Sequence, residues 1–277
     1  MTCGNLASDP PSPRTTPGIL ARMRITLLRH ATLIVEFAGR RLMVDPMLDP
    51  AGARGPVRGT PNDRANPLVD LPMSAAEAVA GVEAVLLSHT HVDHLDAAGV
   101  TALDAGVAWF CQPEDVEDLS PVGLTDVRPV PAGTALDWQG IRISRTGGRH
   151  GREEAAVQGL GPVSGYVLSA EGEPTLYLAG DTVWCPEVEE ALAGHSPDWI
   201  VVNAGGARFL HGGTITMEAA DVIAVARAAP HARVVAVHME AINHCLESRG
   251  DLAEALVGAG LTDRIHIPRD GESLSHP

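Results

Sequence analysis

From residue 24 onward the chain alternates short apolar runs with polar, glycine-rich breaks. MRITLLRHATLIVEFAGRRLMVDPML reads as three strands, near 24–28, 32–37 and 41–45, with the A-G-R step as the hairpin turn between the last two. Residues 50–70 are rich in Gly, Pro, Arg and Asn and lack periodicity, and a loop that long is either disordered or functional. After it the pattern predicts a helix over 74–80, a strand over VEAVLLSH, a helix over 96–105, a strand over VAWFC and a short helix opened by Pro113. VRPV, TALDW, IRISRTG, GYVLSAE and TLYLAGD form a strand-rich section. Helices near 186–193, 216–229 and 248–258 then alternate with the strands WIVVNAG, RVVAVHM and RIHIP.

The order is strands, βα units, strands again, then βα units again. A doubly wound sheet rarely carries such a meander in each half. Two similar halves meeting face to face, sheets inside and helices outside, satisfy the pattern. No short-period repeat is present, which excludes a solenoid.

Composition narrows the chemistry. The chain has 277 residues, and the tract MTCGNLASDPPSPRTTPG at its start is polar, with no apolar core of a signal peptide. Residues 1–22 are therefore expected to be a disordered tail and 23–277 a single domain. With aromatics at 3%, the core must be built mostly from Ala, Val, Leu and Ile. Every basic residue is Arg, which excludes a lysine Schiff base or a phosphate-binding lysine. The net charge of −15 disfavours nucleic acid and anionic lipid, so the expected partner is a small molecule, with a homo-oligomer left open. No run of 18 apolar residues exists to span a membrane. Cys3, Cys111, Cys185 and Cys245 are widely separated and read as reduced thiols of a cytoplasmic protein.

The sharpest signal is Ser88-His89-Thr90-His91-Val92-Asp93-His94-Leu95-Asp96, directly after an apolar strand. His89, His91, Asp93 and His94 are nitrogen and oxygen ligands suited to Zn, Mn or Fe. In an extended segment His89, His91 and Asp93 share one side, and a turn into a helix brings His94 back. One segment could thus serve two adjacent ions, His89 and His91 on one, Asp93 and His94 on the other. A closed structural zinc site usually recruits Cys, and none is here.

HTHVDH matches the HxHxDH signature of the metallo-beta-lactamase fold hydrolases, and the resemblance extends over roughly residues 24–270. It looks closest to the L-ascorbate 6-phosphate lactonase-like branch. The resemblance implies an α/β fold of the four-layer αββα sandwich type, two mixed sheets with outer helices. It also implies further ligands: His150 in GGRHGRE joining His89 and His91, Asp181 in LYLAGDT as bridging carboxylate, and His238 in VVAVHME joining Asp93 and His94. On residue type alone, His150 reads equally as a surface histidine, Asp181 as a turn or cap residue, and His238 as a buried histidine bonded to backbone. Gly180 permits close approach beside Asp181.

The expected cofactors are two divalent metal ions, Zn2+ first, with Mn2+ or Fe as alternatives. The candidate catalytic residues are Asp93, Asp181, His30 and His244, with His30 placed beside the ions or against substrate, and Asp45 accepting hydrogen bonds from the histidine loop. His211, Glu240, Trp184 and Phe209 are further candidates for the pocket. Arg54, Arg58, Arg64, Arg145, Arg149, Arg152 and Arg208 are candidate anion contacts. The expected activity is hydrolysis of a small, anionic lactone or ester by a metal-activated water, with a phosphodiesterase acting on a phospholipid-like or cyclic phosphate as the alternative.

Overall fold

The computed structural model describes residues 23–276, so the expected tail over 1–22, Cys3 included, lies outside the described residues. Two seven-stranded mixed sheets face each other. The first holds β1 (Arg24–Arg29), β2 (Thr32–Phe37), β3 (Arg40–Val44), β4 (Ala84–Leu86), β5 (Ala108–Cys111) and β6 (Val127–Pro129), and is closed at one edge by the last strand, β14 (Ser273–Ser275). The second holds β7 (Ala135–Trp138), β8 (Ile141–Thr146), β9 (Gly165–Ser169), β10 (Leu176–Leu178), β11 (Trp199–Asn203), β12 (Arg233–Val237) and β13 (Ile265–His266). Each sheet is antiparallel on one side and parallel on the other: β3–β6 pair in parallel in the first, β10–β13 in the second.

Side-chain alternation assigns the layers. Leu42 and Val44 of β3, Ala84 and Leu86 of β4, and Trp199 and Val201 of β11 point between the sheets. Met43 and Val85 point the other way, beneath α1 (Ala75–Val79), α2 (Ala97–Ala102) and α3 (Val116–Leu119). Ile200 and Val202 point beneath α5 (Pro186–His195), α6 (Ala219–Ala228) and α7 (Arg249–Ala259). Both faces of central strands such as β4 and β11 are therefore buried, which is why they read as continuous apolar runs. The result is the αββα sandwich with outer helices.

Several element limits differ from the sequence pattern. The helix expected over 96–105 is α2, ending before Leu103, where the backbone turns extended. The helix expected over 216–229 begins only at Ala219, because the Met217 amide donates to the Asn203 carbonyl and Glu218 forms a capping box with Asp221. The third strand begins at Arg40 and stops at Val44, since Asp45 turns into the left-handed region at φ 45°. Helix α4 (Glu154–Leu160) and strand β14 were not anticipated. The first buries no residue fully, and the second is three residues long, so neither carries a strong hydrophobic pattern.

The 50–70 segment has no helix or strand but is firmly held. Arg54 and Asn66 exchange backbone hydrogen bonds, and the Leu68 amide donates to the Ala241 carbonyl at 2.7 Å. Cys111, Cys185 and Cys245 carry free thiols. Among the described residues no helix is long and apolar enough to cross a membrane.

Candidate metal centre

Every candidate ligand sits just past the carboxyl end of a strand, at one rim of the sandwich, where strand ends converge. His30 follows β1; His89 to His94 follow β4; His150 follows β8; Asp181 follows β10; His238 follows β12. The 89–94 segment turns on itself through the His94 and Leu95 amides, both donating to the His91 carbonyl, and Asp96 then caps α2 by accepting from the Gly99 amide. The turn brings His94 back toward Asp93, as the spacing required.

Three donor groups result, each with ligand atoms within 4.8 Å of one another: His89, His91 and His150; His30, Asp93, His94 and His238; and His89, His94 and Asp181. Asp181 lies between the first two. Its Oδ2 is 3.2 Å from His94 Nε2 and 3.7 Å from His150 Nε2, and its Oδ1 is 3.2 Å from His238 Nε2. Gly180 allows this. Its φ is +68°, and a Cβ there would lie 2.4 Å from the Ser164 carbonyl oxygen.

The hydrogen bonds around the histidines decide which ring nitrogens face inward. Asp45 accepts from the Ser88 amide, the Ser88 hydroxyl and His94 Nδ1, each at 2.7 Å. The Ser88 hydroxyl has spent its proton on Asp45, so its oxygen accepts from His89 Nδ1 at 3.0 Å. His150 Nδ1 donates to the Ile215 carbonyl at 2.8 Å. In His89 and His150 the proton sits on Nδ1 and Nε2 presents a lone pair to the cluster, while His94 donates from Nδ1 to Asp45 and turns Nε2 toward Asp181. His89 Nε2 faces His91 Nδ1 at 2.9 Å, and His238 Nε2 faces His94 Nε2 at 3.3 Å. Buried nitrogen and carboxylate donors converging this closely fit one or two divalent cations. Asn203, at the end of β11, donates to Asp181 Oδ1 at 2.7 Å and fixes the carboxylate.

Electrostatics point the same way. Burial, and then the charge of His94, hold His89 well below the ordinary imidazole range; burial also lowers His150. Burial opposes charge on Asp93 and Asp181, but facing histidines outweigh it and hold both well below the usual carboxylate range. Burial likewise opposes a charge on His94, yet Asp181, Asp45 and Asp93 surround it and hold it well above the usual value.

His30 is fully buried, with its Nε2 3.4 Å from Asp93 Oδ2 and its ring packed against His238 at 3.5 Å between centroids, tilted by 34°. It does not line the adjoining cavity and packs behind Asp93. His30, Asp45 and His238 all have left-handed φ values, of 58°, 45° and 68°. Such backbone costs roughly 1–3 kcal/mol each and gathers at sites where geometry outranks stability.

A cavity of about 290 Å³ opens beside the cluster. His91, Asp93, His150 and Asp181 form its floor, and Val57, Val92, Leu160, Phe209 and Ile215 its walls. His244 completes it, stacked on Phe209, with Nδ1 buried and unpartnered among the described residues.

Other pocket candidates lie elsewhere. Glu240 is exposed and paired with Arg249, His211 is exposed, and Trp184 packs among the helices outside the second sheet. No arginine lines the cavity among the described residues. Arg145 is buried against Ser164 and Gln112; Arg149 pairs with Glu154; Arg152 with Glu218 and Asp221; Arg208 with Glu218. Arg54 is held by Asp49 and the Val92 carbonyl, while Arg58 and Arg64 are exposed. Ser88 and Asn203, not singled out from sequence, hold the ligands in place. Ser88 had one faint signal, its position just before His89 after a strand, and Asn203 only its place at the end of an apolar strand.

A family model described as a beta-lactamase superfamily domain matches residues 40–239. UPF0173 protein YddR of Bacillus subtilis (strain 168) is 38% identical over 91% of this chain and all of that protein. A crystal structure of a possible metal-dependent hydrolase from Veillonella parvula is 31% identical, with a TM-score of 0.89, covering 92% of this chain and 100% of that one. The crystal structure of an isothiocyanate hydrolase from Delia radicum gut bacteria is 34% identical, with a TM-score of 0.86, covering 92% and 99%.

Proposed function

The chain belongs to the beta-lactamase superfamily domain family, with UPF0173 relatives of metal-dependent hydrolase type, and from that premise we propose that it holds two divalent ions, Zn2+ first, and hydrolyses small, uncharged substrates at an electrophilic carbon. The observation that carries this reading is the position of Asp181 between two histidine groups that open onto an apolar cavity. We take His89, His91 and His150 as one ligand set, Asp93, His94 and His238 as the other, with Asp181 shared and residues 23–277 as the working domain.

Divalent ions so held supply Lewis acidity and bring the pKa of water toward neutrality. Asp93 faces both the cluster and the cavity, so its carboxylate orients the attacking water and receives its proton. His30 holds Asp93 from behind. His244 reaches the cavity from the opposite wall, where its ring donates to the substrate heteroatom that gains charge. Val57, Val92, Leu160 and Phe209 exclude bulk water and strengthen these contacts.

The anionic lactone and the phosphodiester expected from sequence both want an arginine grip, and no arginine lines the cavity among the described residues: Arg149 and Arg152 pair with carboxylates, and Arg58, next to Val57, is exposed. The substrate is therefore read as neutral. An isothiocyanate, the substrate class of one solved relative, suits an apolar cavity: water adds to the central carbon, and the resulting thiocarbamic acid breaks into an amine and carbonyl sulfide. An uncharged ester or lactone asks the same of the site and is the second arm.

The test is protein purified without chelator, analysed for metal and assayed on benzyl isothiocyanate, phenyl acetate, an uncharged lactone and bis(4-nitrophenyl) phosphate. The neutral carbon electrophiles are expected to turn over fastest, and His89→Ala or Asp181→Asn to lose both metal and activity. A clear preference for the phosphodiester, or unchanged metal content in both variants, overturns the reading.

A further inference from the structure

Residue 243 lies next to the cavity histidine, yet it faces away from the cluster and into the 54–66 loop. Asn243 is 1% exposed and exchanges hydrogen bonds with that loop along its whole length. Its Oδ1 accepts from the Val57 amide at 2.9 Å and from Asn66 Nδ2 at 2.8 Å. Its Nδ2 faces the Thr60 hydroxyl at 2.7 Å, the Asn62 carbonyl at 3.0 Å and the Val57 carbonyl at 3.3 Å. Its own amide donates to Asn66 Oδ1 at 2.9 Å, and its carbonyl accepts from Asn62 Nδ2 at 2.6 Å. The loop is tied to the Phe209 segment as well, since the Leu210 amide donates to the Gly59 carbonyl at 2.7 Å, and that segment is joined to the one carrying Asn243 through the Arg208 amide, which donates to the His244 carbonyl at 3.1 Å.

We infer that Asn243 is the specificity-positioning residue of this site: by clamping the 54–66 loop it holds Val57 as a fixed apolar wall of the cavity that Phe209 and His244 also line. The inference rests on reading the cavity as the substrate site. A loop without helix or strand has no ladder of its own to fix its backbone, so the wall is only as rigid as the polar contacts that replace one. Asn243 supplies both donor and acceptor from one planar amide. Asp would keep only the acceptor and set a negative charge against the Val57 and Asn62 carbonyls. Val57 reaches the cavity from a loop fastened beside His244, so the two walls move together. The device selects substrates by size and apolar contact, and leaves the metal ligands untouched.

The experiment uses the full-length, metal-loaded protein and toluene as an inert apolar probe, with its Kd read by saturation-transfer NMR. Asn243→Ala is expected to weaken toluene about tenfold or more and to raise KM by a similar factor, with kcat within about threefold and metal content unchanged. A folded Asn243→Ala whose Kd and KM stay at wild-type values overturns the proposal. Should Asn243→Ala fail to fold, Val57→Phe and Thr60→Ala carry the test. The first is expected to abolish toluene binding with full metal content, and the second to weaken it. Wild-type affinity in Val57→Phe overturns the proposal equally. Toluene binding needs no turnover, so a wild type that binds toluene but hydrolyses none of the neutral substrates sinks the reaction and spares the clamp.

Discussion

The His238 amide donates to the His30 carbonyl at 3.0 Å while the two imidazoles pack together, tilted by 34°, with centroids 3.5 Å apart. This contact stitches the end of β1 in one sheet to the end of β12 in the other, and both residues hold left-handed backbone to make it. His30→Asn keeps a residue tolerant of that backbone but removes the ring contact and the support behind Asp93. It is expected to lower metal occupancy at Asp93, His94 and His238 while His89, His91 and His150 retain theirs. Elemental analysis checks this: stoichiometry should fall toward half rather than to zero.

Asp45 gathers three donors on one carboxylate and sets the orientation of both His94 and His89. Removing such support from a ligating histidine typically costs about 10–100-fold in metal affinity or activity. Asp45→Ala is therefore expected to bind metal within that range more weakly, measured by competition with a chromogenic chelator. Wild-type affinity would reduce Asp45 to a turn residue.

Gly180 sets the approach of Asp181. Gly180→Ala adds about 1–2 kcal/mol of left-handed backbone strain before any clash with the Ser164 carbonyl is relieved. The variant should unfold at lower denaturant and, because Asp181 must shift with its neighbour, should also lose metal. Urea titration and metal analysis on the same sample read both effects.

Asp115 gives a pH signature remote from the ligands. Burial pushes its carboxyl from the usual 3.8 up to about 6, and Oδ2 has no partner among the described residues. The folded protein thus holds this proton more tightly than the unfolded chain, and stability from this group is lost as pH rises from about 4 to above 6. Asp115→Asn retains the contact with Gln112 and should raise Tm at pH 8 but scarcely at pH 4. An equal gain at both values would show that charge is not the cause.

Arg149 pairs with Glu154 at a half-exposed position and lines no part of the cavity. Arg149→Ala is expected to leave KM for an uncharged substrate within about twofold, as suits a solvent-screened pair. A larger rise in KM would restore arginine to substrate binding.

Much of the architecture was legible because both faces of each central strand are buried: WIVVNAG and RVVAVHM announce themselves as apolar runs, and the ligands follow them directly. The cluster over residues 89–94 was legible through density alone. His150, Asp181 and His238 could not be placed by local pattern, since each is a single polar residue at a strand end, and only family resemblance linked them. Ser88, Asn203 and Asn243 were missed for a related reason. They act through hydrogen bonds to residues distant in sequence, and small polar side chains at turns carry no periodic signature. The pairing of the arginines was not legible either, because sequence shows where cations are, but not that Glu154, Glu218 and Asp221 lie within reach of them.

The donors come from both sides of the seam of the sandwich. His30 and the 89–94 segment hang from one sheet, and His150, Asp181 and His238 from the other, so each cluster is completed only when the two layers are in register. Cation uptake therefore doubles as a rivet between layers, and its free energy is added to their cohesion. Stripping the ions should leave secondary structure standing while amide exchange quickens along the facing ends of β1, β4, β10 and β12, the two slabs parting first at the rim where chemistry is done.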